Sequence, residues 1–338
     1  MATAPIFYVV PGSAVKKAID ENRQGVFETV EAAYRCHASG ESVNPASYFL
    51  RYPHNPAARI IALPAHLGGK VNKSGIKWIS SFPANRTSNL ARASAVQILN
   101  DPTTGYPLAC LEASLVSATR TAASAALAAE HLSPIPFQCT LSVIGTGIIA
   151  RSTIEWLIFR GWKFHRVSLY DIDRREAEQF ATWLQDKQGL AAELHCSPED
   201  ALRSASLVIV ATTALEPYLA DESLFAHSPT VLHISLRDIS VNLILGSQNV
   251  VDDIDHCLQA NTSLHLAEKA RGDRCFIDGT LVDVLDGRLE RDLDKARIFS
   301  PFGLGILDIA VSDFILQETV TSGTALALPD FFSNSVRW

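Results

Sequence analysis

The run Gly145-Thr146-Gly147-Ile148-Ile149-Ala150 has the spacing of a turn whose glycines let a pyrophosphate approach main-chain N–H groups at a helix start. Spacing alone is a weak signal, because 18 glycines in 338 residues yield about one G-x-G by chance, and Gly303-Leu304-Gly305 is a second example. Context separates the two. The first turn follows an apolar run, Thr140 to Ile144, and opens a helical stretch, Ile148 to Phe159. Asp171, 21 residues after Ala150, ends the next strand, where a carboxylate can hydrogen-bond the adenosine ribose. That acid would repel a 2′-phosphate and favours NAD, although Arg174 and Arg175 could pair with one; their plainer role is a solvated helix start. An ordinary tight turn is the alternative for the glycines.

A nicotinamide cofactor supplies only the redox step, so its substrate needs cationic anchors and an acid or base. Arg120 lies in the Ala-rich helix Glu112 to Ala129, and Lys77 in the apolar run Gly75-Ile-Lys-Trp-Ile79. A cation there is costly unless paired, so each is a substrate anchor or half of a buried ion pair. Asp238, in His233-Ile-Ser-Leu-Arg-Asp238, follows the fifth strand of the second half, at the edge where doubly wound sheets bind ligands; otherwise it is a helix N-cap or turn residue. The cluster Asp252-Asp253-Ile-Asp255-His256 has the pattern of a solvated helix start, and no metal is expected there.

These groups need elements to carry them. The stop at Leu132-Ser-Pro-Ile-Pro136 predicts a boundary. Beyond it, strands at Thr140–Ile144, Arg166–Tyr170, Ala191–His195, Leu207–Ala211, Val231–Ser235 and Val250–Val251 alternate with helices, the pattern of a doubly wound parallel α/β sheet. Before it, a helix over Gln24–His37, strands at Arg59–Pro64 and Lys77–Ser81, and a hairpin of Ala95–Asn100 with Pro107–Glu112 predict a second, separate α/β domain. The tail from Ile309 to Gln317 is helical and could return to it.

With 47% apolar and 19% charged residues, the chain has a globular composition. A net charge of −7 without a long basic run argues against nucleic acid. Six scattered cysteines without a C-x-x-C pair suggest reduced thiols. The first 20 residues lack a basic start, and the longest uncharged stretch, His131–Ala150, is interrupted by Pro and Gly. Neither a secretory leader nor a membrane span is expected, and the expected location is the cytoplasm.

Ala62-Leu-Pro-Ala65, Gly75-Ile-Lys77-Trp78, Phe82-Pro-Ala-Asn85, Thr104-Gly-Tyr-Pro107, Ser117-Ala-Thr-Arg120-Thr-Ala-Ala123 and the Gly145 turn together resemble the ornithine cyclodeaminase/mu-crystallin family over nearly the whole chain. Segments Ile79–Pro83, Arg92–Val96, Ser235–Asp238, Val251–His256 and Thr262–Leu266 are most similar to its branch that makes 2,3-diaminopropionate for siderophores or antibiotics. The resemblance implies a Rossmann NAD-binding domain, 133–311, and a substrate-binding and dimerisation domain, 1–132 with 312–338. It also implies a homodimer acting on a small amino-acid substrate.

By the same resemblance Lys77, Arg120 and Asp238 match catalytic or substrate-binding positions, and Arg51 a second carboxylate-binding arginine, with Arg59 as its rival. The implied NAD contacts are Gly145, Thr146, Gly147, Ile148, Ile149, Asp171 and Thr212. Ser235-Leu-Arg-Asp238 stands where ornithine cyclodeaminases carry a Gly-Gly-Asp-Cys-Pro-Gly-Lys type segment, a departure that counts against ornithine cyclisation. The expected reaction is NAD-dependent oxidative cleavage of a glutamate–diaminopropionate secondary amine. Its rivals are the same hydride chemistry on a free amino acid or cyclic imine, and a mu-crystallin-like binder without turnover. A pure binder has no need of Asp238.

Overall fold

The computed structural model describes residues 5–135 and 137–332. They pack into two compact units, one containing the described residues up to Arg120 and from Leu304 on, the other residues Thr121–Gly303. The continuous helix Ser114–Leu132 carries the chain from the first into the second, so the division falls inside that helix.

In the first unit, eight strands among the described residues form a mixed sheet. Its order is Leu326–Leu328, Phe7–Val10, Pro107–Glu112, Ala93–Asn100, Lys73–Ser81 and Asn55–Leu67, with Ser42–Val43 and Tyr48–Tyr52 both paired to the last of these. Only Phe7–Val10 with Pro107–Glu112 is a parallel pair among them; the predicted hairpin is antiparallel, with Val96 opposite Glu112. One face alternates to buried residues, among them Ala65, Lys77, Gln97, Leu99 and Leu111. The helix Gly305–Thr321 covers that face and is buried on nearly all sides, against the sheet and against the helix Arg23–Ala38. A helix apolar all round needs such a setting.

The docking has a register. Lys73 lies 3.9 Å from Asp313, a Cβ on Gly75 would lie 2.8 Å from Ile309 Cδ1, and Lys77 lies 2.7 Å from Asp308. The helix therefore runs opposite to the strand Lys73–Ser81, and Gly75 is where they meet most closely. A side chain there would also come within 2.1 Å of the Ile98 carbonyl oxygen.

In the second unit all eight strands among the described residues are parallel, in the order Ala192–Leu194, Lys163–Tyr170, Gln138–Ile144, Leu207–Val210, Thr230–His233, Arg297–Ser300, Gln248–Val251, Ile277–Thr280. The strands Leu207–Val210, Thr230–His233, Gln248–Val251 and Arg297–Ser300 are buried at every residue, so both sheet faces are covered, as in a doubly wound fold. Strand order reverses between Gln138–Ile144 and Leu207–Val210, which makes the ends of those two strands the crevice where such sheets bind ligands. Arg297 is 1% exposed and gives its guanidinium to the main-chain carbonyls of Asp292, Lys295 and Ser228 at 2.5–2.9 Å, a fastening for its strand.

Gly75→Ala is expected to lower stability by about 1–3 kcal/mol, because neither the neighbouring main chain nor the docked helix can yield without disturbing the sheet. Urea unfolding checks this; an unchanged midpoint would show that the helix does not sit against Gly75.

Candidate active site

Two clusters of polar groups are built from the residues that sequence reasoning singled out, one in each unit. The first unit brings together Lys77, 2% exposed, and Arg120, 9% exposed. Lys77 Nζ donates to Asp308 Oδ2 at 2.7 Å and to Ser117 Oγ at 3.1 Å, and Arg120 Nε donates to Asp308 Oδ1 at 3.2 Å. The two readings for these cations, anchor or buried ion pair, thus converge on one carboxylate between two cations. Asp308, 0% exposed, was missed by sequence reasoning. The available signal was two acids, Asp308 and Asp313, inside the mostly apolar stretch Ile306–Ile315, which need cations somewhere in the fold.

Burial lowers the Lys77 ammonium from the ordinary lysine range; Asp308 opposes this and Arg120 adds to it, leaving Lys77 at about 8. Arg51 is not part of this cluster. It stands directly opposite Arg59 across the sheet, in the row that continues to Ser81, with its guanidinium 5.2 Å from the centre of the Phe49 ring. Ser81 is four residues from Lys77 on the same strand face, about 13 Å along the strand.

In the second unit, the Gly145 turn sits at the strand-order reversal. Gly145 has φ +86°, and a Cβ on it would lie 2.6 Å from the Ala211 carbonyl oxygen, so both its conformation and its contact require glycine. Nothing lies within 4 Å of where a Cβ on Gly147 would point, and no side chain caps the helix Ile148–Phe159 at Gly147. The helix start is thus uncapped by any side chain and has room beside Gly147, a cradle suited to a pyrophosphate. Ile148 is exposed there and Ile149 half-buried.

Thr146 gives both its donors to Asp171: N–H at 2.7 Å and hydroxyl at 2.9 Å, both to Oδ2. Asp171 Oδ1 accepts from the Asp173 N–H at 3.0 Å. The turn and Asp171 are thereby fastened to each other, with Thr146 positioning the carboxylate. These residues fit a dinucleotide.

Asp238 is 0% exposed, in the loop that leaves the strand Thr230–His233. Its Oδ1 accepts from Thr212 Oγ1; its Oδ2 accepts from Ser235 Oγ at 2.5 Å and lies 3.4 Å from His233 Nε2. His233 Nδ1 in turn meets Ser300 Oγ at 3.1 Å. Burial pushes the Asp238 carboxyl up, but the contacts with His233, Ser235 and Thr212 outweigh it and hold the group below the usual carboxylate range.

The loop itself is pinned. Leu236 adopts φ +78°, its carbonyl accepts from the Ser263 N–H at 2.7 Å, and Arg237 donates to the Ala260 carbonyl at 2.7 Å. A left-handed leucine is a strained residue of the kind that gathers at functional sites. Burial and the protonated tyrosyl oxygen go together nearby: desolvation and the Asp238 charge both push the Tyr218 phenol well above its ordinary range. His233, Ser235 and Tyr218 were not nominated from sequence, because neither alternation nor motif spacing marks a residue that acts through another.

Asp253 caps the helix Ile254–Cys257 and meets His256 at 2.9 Å, while Asp252 accepts from Phe302 and Gly303 N–H groups at 2.9 and 2.7 Å. Among the described residues no group of three or more His, Cys, Asp or Glu is placed to hold a metal ion, and no helix is long and apolar enough to cross a membrane.

The family model for the ornithine cyclodeaminase/mu-crystallin family matches residues 13–323. The N-((2S)-2-amino-2-carboxyethyl)-L-glutamate dehydrogenase of Staphylococcus aureus is 31% identical over 327 residues, which cover 94% of this chain and 97% of that protein. The Thermococcus litoralis Delta(1)-pyrroline-2-carboxylate reductase, solved with NADH and L-proline, superposes with a TM-score of 0.86 at 24% identity, covering 95% of this chain and all of that one. An archaeal alanine dehydrogenase dimer with bound NAD gives a TM-score of 0.84 at 24% identity, covering 97% of this chain and all of that one.

A Lys77 that loses its proton at about 8 when folded keeps it into the ordinary lysine range when unfolded. Between those values the unfolded chain binds the extra proton, so the Lys77 contribution to stability rises with pH through that window. Unfolding free energies measured across it are expected to rise less in Lys77→Met than in the parent protein; identical pH slopes would count against the burial of a charged Lys77.

Proposed function

Since the chain belongs to the ornithine cyclodeaminase/mu-crystallin family, we propose that it is an NAD-dependent oxidoreductase that cleaves N-((2S)-2-amino-2-carboxyethyl)-L-glutamate to 2-oxoglutarate and L-2,3-diaminopropionate. The observation that carries this reading is the buried cluster of Lys77, Arg120 and Asp308, in which two cations share one carboxylate. One positive charge is left over, and a buried net charge is costly until an anion joins it. A substrate carboxylate is that anion. The 31% identical Staphylococcus aureus protein supports this choice of substrate over alanine, proline or ornithine.

The N–H groups at the Gly145–Ile149 turn hold the pyrophosphate, Asp171 hydrogen-bonds the adenosine ribose, and Thr212 lies at the adjoining strand end. When bound, NAD⁺ supplies the acceptor for the hydride on the glutamate α-carbon. Arg120 and Lys77 bind and orient one substrate carboxylate, and Arg51, with Arg59 beside it, serves another. Once the secondary amine is an imine, Asp238 takes a proton from the water that attacks the imine carbon and returns it to the nitrogen; the carbon–nitrogen bond then breaks, the added hydroxyl becoming the carbonyl of 2-oxoglutarate and the nitrogen leaving as the amine. Because both Asp238 oxygens already accept hydrogen bonds, that proton reaches it at a site shared with the Thr212 or Ser235 hydroxyl. The diaminopropionate released is a building block for siderophore or antibiotic assembly in the cytoplasm.

The other face of the first unit's sheet supports a homodimer. Tyr48, Ala62, Trp78 and Val96 form one cross-strand row, with Leu50 and Ile60 on one side of it and Pro64, Ile76 and Ile98 on the other. Tyr48, Leu50, Trp78 and Val96 are 71, 47, 42 and 40% exposed. A contiguous apolar face of this kind is characteristic of an interaction surface.

Incubation with NAD⁺ and the secondary amine is expected to yield NADH with equal amounts of 2-oxoglutarate and diaminopropionate. Turnover only with alanine, proline or ornithine would overturn the substrate, and no NADH with any of them would favour a binding protein. Asp238→Asn is expected to lower kcat by about 10²- to 10⁴-fold with NAD affinity retained. Sedimentation of Trp78→Glu is expected to show a monomer where the parent is a dimer; an unchanged mass would place the contact elsewhere.

A further inference from the structure

We propose that Asp308 is a positioning residue of this anion site, holding the Lys77 ammonium and the Arg120 guanidinium side by side and keeping Lys77 charged. The proposal rests on the reading of Lys77 and Arg120 as carboxylate anchors. Its geometric basis is that three separate elements meet at one carboxylate: the strand Lys73–Ser81, the helix Ser114–Leu132 and the helix Gly305–Thr321. Each Asp308 oxygen takes a different cation, Oδ2 from Lys77 and Oδ1 from Arg120, so the spacing of the two cations is set by the width of one carboxyl group.

The groups facing Lys77 are few. Its cross-strand neighbours are Leu63 and Gln97, both uncharged, and Ser117 offers a hydroxyl from the helix Ser114–Leu132. Arg120 on that helix repels the ammonium, and Asp308 on the last helix attracts it. Lys73, on the same strand face, is engaged one step away with Asp313. Asp308 is thus the carboxylate among the described contacts of Lys77, and it opposes both the desolvation and the neighbouring arginine. Stability alone is a poor reason for the arrangement, because a buried ion cluster is often no more stable than apolar side chains of similar size. The Lys73–Asp313 contact and the close approach at Gly75 already hold the helix in register.

Two measurements test this. The first needs no ligand: the pH dependence of unfolding is compared between each protein and its Lys77→Met counterpart, which reports where Lys77 loses its proton. Asp308→Asn is expected to bring that titration about 1–3 pH units below its parent position. Arg120→Gln is expected to move it upward. An unmoved titration in Asp308→Asn, or a downward shift in Arg120→Gln, overturns the proposal. Should Asp308→Asn fail to fold, Arg120→Gln still decides, together with Asp308→Glu, which is expected to stay near the parent.

The second measurement is calorimetric binding of 2-oxoglutarate as a function of pH. Binding by the parent protein is expected to weaken as Lys77 loses its proton, at about 8, and in Asp308→Asn at correspondingly lower pH. The same pH dependence in both proteins overturns the role of Asp308. No binding to the parent protein would instead overturn the proposed substrate, while the unfolding comparison would still decide on Asp308.

Discussion

The docking of one helix onto one sheet face is the constraint from which the first unit follows. Gly305–Thr321 is apolar on almost every side, so it cannot rest on a surface and must be enclosed. The enclosure has three fixed points along the strand Lys73–Ser81, two of them ionic and one a glycine left bare for contact. Apolar burial alone would tolerate sliding, since it is non-directional. Ion pairs at two depths, with a close approach between them, remove that freedom. The same docking brings Lys77 and Arg120 together, because the carboxylate that joins them is carried on the docked helix.

The second unit solves a different problem with the same economy of parts. A parallel sheet buried on both faces leaves only its strand ends for chemistry, and the reversal of strand order opens one pair of those ends. Gly145 occupies one of them in a conformation and at a distance that only glycine tolerates, with Asp171 tied back to the turn through Thr146. Asp238 occupies another strand-end loop under hydroxyl and imidazole contacts. A buried carboxylate would ordinarily rise toward the neutral form. Here hydrogen-bond donors are concentrated around it sufficiently to keep it ionised.

Much of this was legible in the sequence where the signal is local. The turn Gly145–Gly147, the hairpin before Glu112 and the strands Leu207–Val210 and Thr230–His233 are each announced by neighbours within a few residues. What escaped was set by distance or by contradiction. Asp308 finds Lys77 231 residues away and Arg120 188 residues away, and no local pattern carries that information. The strand Arg297–Ser300 begins with a charged residue that the fold buries against carbonyl groups, so its sequence does not read as the interior of a sheet. The strand Tyr48–Tyr52 lies on an edge and is largely exposed, which hides the alternation that would reveal it. The pairing of Arg51 with Arg59 has the same origin, since register becomes visible only once both strands are placed.

The division of the chain also has a consequence for how the molecule comes into being. A ribosome delivers residues in order, and domains tend to fold as units while synthesis proceeds. The unit Thr121–Gly303 is contiguous, and all of its strands have been made before the last helix emerges. The first unit has most of its sheet by Glu112 but waits for Gly305–Thr321 to cover it. During that interval its inner face, with Lys77 on it, is open. The middle of the protein can therefore mature first, and the beginning is completed by the end.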